Sequence, residues 1–321
     1  MNTKKQMLLD EYKKYDKLNL TNNNPLVKIL VSYIKPSFLF KSEILTPIHL
    51  GRAVEQEQSK DGILNNNDLI WLHENCIGDN DFVDNISAIN RRVGFLTGTY
   101  WAYKNYAKLG NPTYIGSFGY RKLFSSNCLE NVEDFDLILP QKTVFEMSLK
   151  EQFIKDHGTQ LYKAMLDTLK KVYPQDVSKF LEYFNRNSGY FYEIYIMKKE
   201  LFNEFCEWIF KYLFKILELF PNFIESHMEI DEKEKSMAKF LEIDNKTYQN
   251  KIYQKPDIEF RDIAFIMERI TGYFLYRASQ KPIKYKEVPV IQLEYVEPKE
   301  IYKNLLLKKM RNNIRRSIKN D

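Results

Sequence analysis

The chain has 321 residues, 44% of them hydrophobic and 15% aromatic, which is enough to form the core of one large domain. Its 11 glycines and 11 prolines exclude collagen-like and disordered classes, and its net charge of +5 is concentrated at the carboxyl-terminal end. The charged amino-terminal segment lacks the apolar stretch of a secretory signal, and the apolar run 208–220 is too short to span a bilayer. Three widely spaced cysteines, Cys76, Cys128 and Cys206, form no CxxC pair. These features predict a folded protein of the cytoplasm.

Charge and turn signals divide the chain into three predicted parts. Residues 1–24 are expected to form a charged helical extension, residues 25–296 the main domain, and residues 297–321 a basic amphipathic helix. Residues 301–321 of this segment carry seven Lys or Arg residues against one acid, beside apolar Leu, Met and Ile side chains. Such a helix can lie peripherally on an anionic inner membrane or dock on the domain, and both alternatives stay open.

Hydrophobic periodicity predicts strands alternating with helices in the main domain. The first strand is expected at 27–34, and a helix starting at Asp84 or Asn85 should end near Gly110. Further strands are predicted at 114–118, 136–140, 191–197 and 288–293, and further helices at 149–172, 176–186, 199–219 and 260–277. This alternation predicts an α/β fold with a mainly parallel sheet, whose ligands bind at the carboxyl ends of strands. The site residues should therefore follow Ile34, Phe118 and Met197.

Several common motifs are missing from the sequence. There is no GxxxxGK[ST] phosphate loop, no GxGxxG and no GxSxG. The four histidines lie far apart without an HExxH pattern, which argues against a dedicated zinc site. No recognised nucleic-acid-binding module is present either, so a specific nucleic-acid partner is not expected.

Polar residues at the predicted ends of elements are the candidate functional groups. Asp84, Asn85, Ser87 and Asn90 place hydrogen-bonding groups around a helix start, where backbone amides favour phosphate or hydroxyl-rich ligands. Plain helix capping is the alternative interpretation of these four residues.

A basic group follows the strand predicted at 114–118. Tyr120, Arg121 and Lys122 come directly after it, and the two cations could neutralise a diphosphate by charge-assisted hydrogen bonds. A solvated surface pair is the alternative. Asp134 and Asp136 match an acidic DxD pattern but precede an apolar run, so we interpret them as a loop entering a strand, with metal binding as the alternative.

Charged residues also interrupt two apolar segments. Glu193 lies within an aromatic strand, and a carboxylate there is costly unless it is paired or functional. Glu268 and Arg269 lie in a helix that is otherwise apolar, where a carboxylate suits general-base work on a hydroxyl. A buried ion pair explains the same residues equally well.

Blocks of sequence from about residue 28 to 293 resemble a bacterial family found in capsular and exopolysaccharide biosynthesis loci. The blocks include DNISAINRRVGFLTGTYWAYKN, YIGSFGYRKLF and RDIAFIMERITGYF. The family carries a domain of unknown function and is identified as a glycosyltransferase family. The resemblance implies a GT-A-like, Rossmann-type fold with added carboxyl-terminal helices. It also implies a nucleotide-sugar donor, most simply a UDP-sugar, and a glycan or lipid-linked glycan acceptor.

The leading hypothesis, transfer of a sugar from a nucleotide-diphosphate donor, gives each candidate residue a role. Arg121 would stabilise the leaving diphosphate, and Glu268 would act as general base. A divalent metal such as Mn or Mg, if one is used, would fall to Asp134 and Asp136, because the usual acidic pair after the strand is replaced by basic residues. Donor binding would fall to Asp84, Asn85, Ser87, Asn90, Tyr120, Lys122 and Arg269.

Two departures from the family pattern leave a rival function open. Relatives typically have HKP where this chain has Ile34-Lys35-Pro36, and HYRR where it has Gly119-Tyr120-Arg121-Lys122. Both histidines are therefore absent. The alternative is a catalytically impaired sugar- or nucleotide-binding protein that scaffolds polysaccharide synthesis.

Overall fold

A mainly parallel sheet forms the centre of the α/β fold, in the strand order β10-β6-β9-β4-β1-β2-β3. Strands β1 to β4 run parallel to one another, whereas β9 runs antiparallel to both of its neighbours, β4 and β6. The strands are β1 (Val27–Tyr33), β2 (Leu45–His49), β3 (Ile77–Gly78), β4 (Tyr114–Gly119), β6 (Leu137–Pro140), β9 (Tyr195–Lys198) and β10 (Tyr285–Val288). Two short strands, β5 (Lys122–Phe124) and β11 (Val290–Gln292), pair with each other, and β7 (Thr143–Val144) pairs with β8 (Ser188–Gly189).

Helices cover the sheet and fill the connections between strands. They are α1 (Asn2–Lys13), α2 (Asn66–Asn75), α3 (Asn90–Val93), α4 (Leu96–Lys104), α5 (Leu149–His157), α6 (Thr159–Val172), α7 (Val177–Asn185), α8 (Lys199–Leu219) and α9 (Asp262–Ser279). A large buried cluster lies between the sheet and the helices α4 to α9, and it includes aromatic side chains such as Phe205, Tyr212 and Phe274.

The computed structural model describes residues 2–20, 24–57, 62–82, 84–220 and 262–293. Residues 1–291 form one unit and residues 292–321 a second, of which only 292 and 293 are described. The basic helix predicted at 297–321 lies outside the described residues, and the predicted boundaries at 24 and 296 stay predictions. None of the helices in these ranges is long and apolar enough to cross a membrane.

The central strands form where the sequence is continuously apolar. All residues of β1 except Lys28 are buried, because β1 lies between β2 and β4 and is covered on both faces. The first strand, the strand at 114–118 and the mainly parallel sheet are thus confirmed. Strands β2 and β3 and helix α2 were not predicted.

The antiparallel direction of β9 corrects one expectation about the site. Its carboxyl end at Lys198 lies where the neighbouring parallel strands begin, because Lys198 is opposite Tyr114. Residues after Met197 are therefore on the far edge of the sheet from the expected ligand side. The residues that precede β9, Tyr192 and Glu193, lie on the ligand side instead.

Two predicted helices are broken by glycine. The helix expected from Asp84 to Gly110 begins as a 3-10 turn at Ser87–Ile89, and α3 is separated from α4 at Gly94, where φ is 60°. Its predicted end is confirmed, since Gly110 has a φ of 83°. The helix expected at 149–172 is divided into α5 and α6 at Gly158, whose φ of 88° favours glycine.

The amino-terminal helix α1 packs against the main sheet. The Tyr12 side chain is fully buried, and its hydroxyl donates a hydrogen bond to the carbonyl oxygen of Phe124 in β5 (2.9 Å). Burial raises the pKa of the Tyr12 phenol well above its usual value. Helix α1 therefore belongs to the packed core as well as carrying surface charge.

Candidate functional site

The carboxyl ends of β1, β2, β3 and β4 meet at one edge of the sheet, which is where ligands of open α/β sheets bind. Two groups of polar residues lie along this edge. The first follows β2 and β3 and is centred on Asp79. The second follows β4 and contains the predicted residues Arg121 and Lys122.

Asp79 is the centre of the first group and was missed by the sequence reasoning. Its side chain is fully buried, and its carboxylate accepts hydrogen bonds from the backbone N–H groups of Gly51 (2.7 Å) and Arg52 (3.1 Å). It also accepts one from the hydroxyl of Ser87 (2.5 Å). A buried carboxylate is stable only with such partners, so Asp79 fixes the loop after β2 to the start of the 3-10 turn at Ser87.

Ser87 and Asn90 support this loop. The Ser87 hydroxyl accepts a hydrogen bond from Ala53 N–H (3.0 Å) as well as donating to Asp79, and the residue is fully buried. The Asn90 amide donates to Gly94 O and to Thr97 Oγ1, both at 2.9 Å. These hydrogen bonds show that Ser87 and Asn90 shape the edge, and their predicted contact with a donor stays a prediction.

Asp84 and Asn85 are more exposed than Ser87 and Asn90. Asp84 has 59% of its side chain exposed and accepts hydrogen bonds from Tyr100 (2.7 Å) and from Lys104 (3.1 Å). The Tyr100 hydroxyl lowers the pKa of Asp84, with Lys104 contributing in the same direction. Asn85 accepts a bond from Ser87 N–H (3.2 Å). Asp84 therefore does not cap the helix, in contrast to the alternative interpretation of this residue. Its side chain is accessible to a ligand.

In the second group, Arg121 is the first cation, and it lies against a stack of two tyrosine rings. Tyr120 is buried and stacks on Tyr33 at the end of β1, with ring centroids 5.2 Å apart and planes 13° apart. The Arg121 guanidinium lies 4.9 Å from the centroid of the Tyr120 ring. A guanidinium stacked in this way is pre-organised for bidentate bonds to a phosphate.

Lys122 is the second cation of this group. Its ammonium lies 3.7 Å from the centroid of the Tyr192 ring, within the range of a cation–π contact. Burial lowers the pKa of Lys122, the negative charge of Glu268 raises it, and Arg121 lowers it further. The structure thus brings together three predicted residues that are up to 147 positions apart in the chain: Arg121, Lys122 and Glu268.

Glu268 holds a strained turn beside the two cations. Tyr192 and Glu193 have positive φ values of 77° and 51°, which is costly for residues other than glycine. Glu268 Oε1 accepts a hydrogen bond from Tyr192 N–H (3.1 Å), and Oε2 accepts one from Arg269 (2.8 Å). Strain of this kind concentrates at functional sites, so the turn supports the placement of a site here.

Arg269 faces inward from α9 and is almost fully buried. Its guanidinium donates to Glu268 and to the side-chain oxygen of Gln152 (2.9 Å), and it lies 4.2 Å from the centroid of the Phe191 ring. These contacts fix Glu268 in place. They favour the interpretation of Arg269 as a positioning residue, whereas its predicted contact with a donor stays untested.

The sequence pattern of the family described as "Domain of unknown function (DUF4422)" matches residues 28–241. The chain belongs to this family. The apo structure of the bifunctional glycosyltransferase WbbM is similar to this DUF4422 chain, with a TM-score of 0.58 and 21% identity. The match covers 85% of this chain and 47% of that one, so the chain spans about half the length of that protein. No curated protein matches the sequence. The sheet order and this similarity confirm a GT-A-like α/β fold.

The acidic pair that the sequence offered for a metal lies on the wrong edge of the sheet in this DUF4422 chain. Asp136 precedes β6, and its carboxylate pairs with Lys198 (2.7 Å) and accepts a bond from Lys284 N–H (3.0 Å). The hydrogen bond from Lys198 lowers the pKa of Asp136. The end of β4 itself carries Arg121 and Lys122. Asp136 is thus paired within the protein at the start of the sheet, and the use of Mn or Mg by Asp134 and Asp136 stays a prediction.

The positions of the two missing histidines are filled by apolar packing in the DUF4422 chain. Ile34 packs against the hydrophobic core. Gly119 faces the ring of Phe95, and a Cβ atom added at Gly119 would lie 3.2 Å from Phe95 Cζ and 3.3 Å from Cε1. The Phe95 ring thus occupies the space next to Gly119 that a larger side chain would need.

This contact predicts energetic coupling between positions 119 and 95. Gly119→His forces the Phe95 ring to move, and Phe95→Ala removes that ring. We therefore expect the double variant to lose less free energy of unfolding than the two single variants lose together, by about 0.5–3 kcal/mol. Urea unfolding of the four proteins measures this coupling. Purely additive losses would show that the ring moves aside at no cost.

Two histidines that are distant in the sequence meet at the end of β2, contrary to the expectation from their spacing. Glu55 Oε2 lies 3.5 Å from His49 Nδ1 and 2.9 Å from His73 Nε2, and the His49 and His73 rings have centroids 6.3 Å apart. Burial lowers the pKa of His49 to about 3, with the nearby charge of Arg52 contributing. The His49 imidazole is therefore neutral near pH 7.

Proposed function

We propose that this chain is a glycosyltransferase that moves a sugar from a nucleotide-diphosphate donor, most simply a UDP-sugar, to a glycan acceptor. The observation that carries the proposal is the position of Arg121 and Lys122. They follow β4 of a GT-A-like sheet, at the ligand edge, with the carboxylate of Glu268 beside them. Similarity to the fold of a bifunctional glycosyltransferase supports the same reaction class.

In the proposed reaction, the bond between the anomeric carbon and the diphosphate oxygen breaks, and the diphosphate leaves with the bonding electrons. Arg121 and Lys122 stabilise the charge that develops on it, through donors already held by the Tyr120 and Tyr192 rings. The acceptor hydroxyl forms the new glycosidic bond. Glu268 is the candidate base for its proton, since each carboxylate oxygen retains a second lone pair beside its present hydrogen bond.

The acceptor and the cellular setting are proposed from the sequence. The resemblance to capsular and exopolysaccharide loci supports a glycan or lipid-linked glycan as acceptor. The basic sequence of residues 297–321 supports peripheral contact with the inner membrane.

Nucleotide-sugar binding tests the proposal. We expect one class among uridine, guanosine and cytidine diphosphate sugars to stabilise the protein by about 2.7 kcal/mol at 100 times the dissociation constant. The shift should not require Mn²⁺, because the end of β4 carries cations rather than carboxylates. Thermal unfolding with and without Mn²⁺ measures both effects. No stabilisation by any donor, together with no turnover on any surface-glycan acceptor, would reject the proposal.

A sugar- or nucleotide-binding protein without catalysis is the second candidate. The packing of Phe95 against Gly119 favours it, because the position of a family histidine is closed. Donor binding without turnover in the wild-type protein would support this candidate. Activity gained only when Gly119→His is combined with Phe95→Ala would identify the closed position as the cause.

A further inference from the structure

The cluster of His49, Glu55 and His73 lies at the end of β2, on the side of β1 away from β4. The reaction proposed above makes no use of it. Three different elements supply it: the end of β2, the turn that follows Arg52–Val54, and helix α2. The three side chains are therefore brought together by the tertiary fold, since no single segment of the chain carries all of them.

We propose that His49, Glu55 and His73 bind one zinc ion. One ligand atom from each residue lies within 4.8 Å of the other two. Zinc bonds of about 2.0–2.1 Å in a tetrahedral site place ligand atoms roughly 3.3 Å apart. The two distances from Glu55 Oε2, 3.5 Å to His49 Nδ1 and 2.9 Å to His73 Nε2, bracket that value.

The ligand types favour zinc over magnesium and manganese. Imidazole nitrogen suits zinc, whereas magnesium and manganese prefer oxygen ligands. Two histidines and one carboxylate form a three-ligand set, which leaves a fourth position for water or a bound group. His73 has 48% of its side chain exposed, so an ion reaches the site from solvent on the side of α2.

Arg52 is a cation in direct contact with His49. Its Nε lies 3.4 Å from His49 Nδ1, a long contact that zinc would replace. The guanidinium keeps its other partners, because it donates to Cys76 O (2.7 Å) and pairs with Asp81 (3.3 Å). The carboxylate of Glu55 balances part of the charge that the ion brings.

Zinc titration of the full chain, stripped of metal by a chelator, tests the site. We expect one Zn²⁺ per chain by calorimetry, and at least about tenfold weaker binding by His73→Ala. Because His73 is half exposed, this variant should fold, and circular dichroism checks that it does. Glu74→Gln, at an exposed position next along α2, is the matched control and should bind like the wild type. Co²⁺ should give a visible spectrum that His73→Ala loses.

The opposite results are equally clear. Equal zinc affinity in the wild type and in His73→Ala would place the ion elsewhere and overturn the proposal. Absence of zinc binding would show that the three side chains form a hydrogen-bonded cluster only. Competition by Mg²⁺ at concentrations similar to those of Zn²⁺ would contradict the assignment to zinc.

Discussion

Arg121→Ala is expected to lower kcat for sugar transfer by about 10²–10³-fold, the loss typical of removing one preorganised donor from a developing negative charge. The guanidinium lies at the end of β4 and is stacked on Tyr120, so it is held in place before substrate binds. Arg121→Lys keeps the charge but loses the planar guanidinium, so its kcat should lie between those of the wild type and Arg121→Ala. Steady-state kinetics with the donor found by thermal shift measures the effect.

The matched control is Arg186→Ala. Arg186 also stacks on a tyrosine, 5.3 Å from the centroid of the Tyr276 ring, but it follows α7 and is exposed. The kcat of Arg186→Ala should equal that of the wild type. The unfolding temperature of both variants separates lost catalysis from lost folding. A fall in kcat that is equal in the two variants, or absent in Arg121→Ala, would contradict the assigned role.

The position of Arg121 illustrates what sequence patterns predict well. The buried run 114–118 indicated a strand, and the rule that ligands bind at carboxyl ends of parallel strands then singled out the three residues that follow. Helix α8 was equally clear, because its apolar residues recur at helical spacing over 21 residues. Local pattern was sufficient in both cases because a single continuous segment carries the whole signal.

The residues that were missed depend on contacts between distant segments. Strand β2 contains Pro47, which argues against a strand, and β3 has only two residues. Without these strands, nothing in the sequence places Asp79 beside Gly51, 28 positions earlier. The direction of β9 was also unpredictable from its own residues, because antiparallel pairing is decided by how the chain returns to the sheet. Because β9 runs antiparallel, the residues at the ligand edge are those of the turn before β9, at Tyr192 and Glu193, and not those after Met197.

The buried network around Asp79 carries the largest predicted effect on stability. Asp79→Ala removes the acceptor for Gly51 N–H, Arg52 N–H and the Ser87 hydroxyl. Each buried donor left without a partner costs about 1–3 kcal/mol, and we expect a total loss of about 3 kcal/mol in the free energy of unfolding. Asp79→Asn keeps the shape but turns one oxygen into a donor that faces another donor, so it should also destabilise the protein.

Asp84→Ala is the matched control for this prediction. Asp84 lies five residues further along the chain, is mostly exposed, and has only its contacts with Tyr100 and Lys104 to lose. Exposed pairs of this kind contribute about 0–1 kcal/mol, so the variant should unfold close to the wild type. Urea unfolding of the three variants gives the comparison. If Asp79→Ala were as stable as Asp84→Ala, the loop after β2 would be held by packing alone. The buried carboxylate would then be free to serve the ligand edge directly.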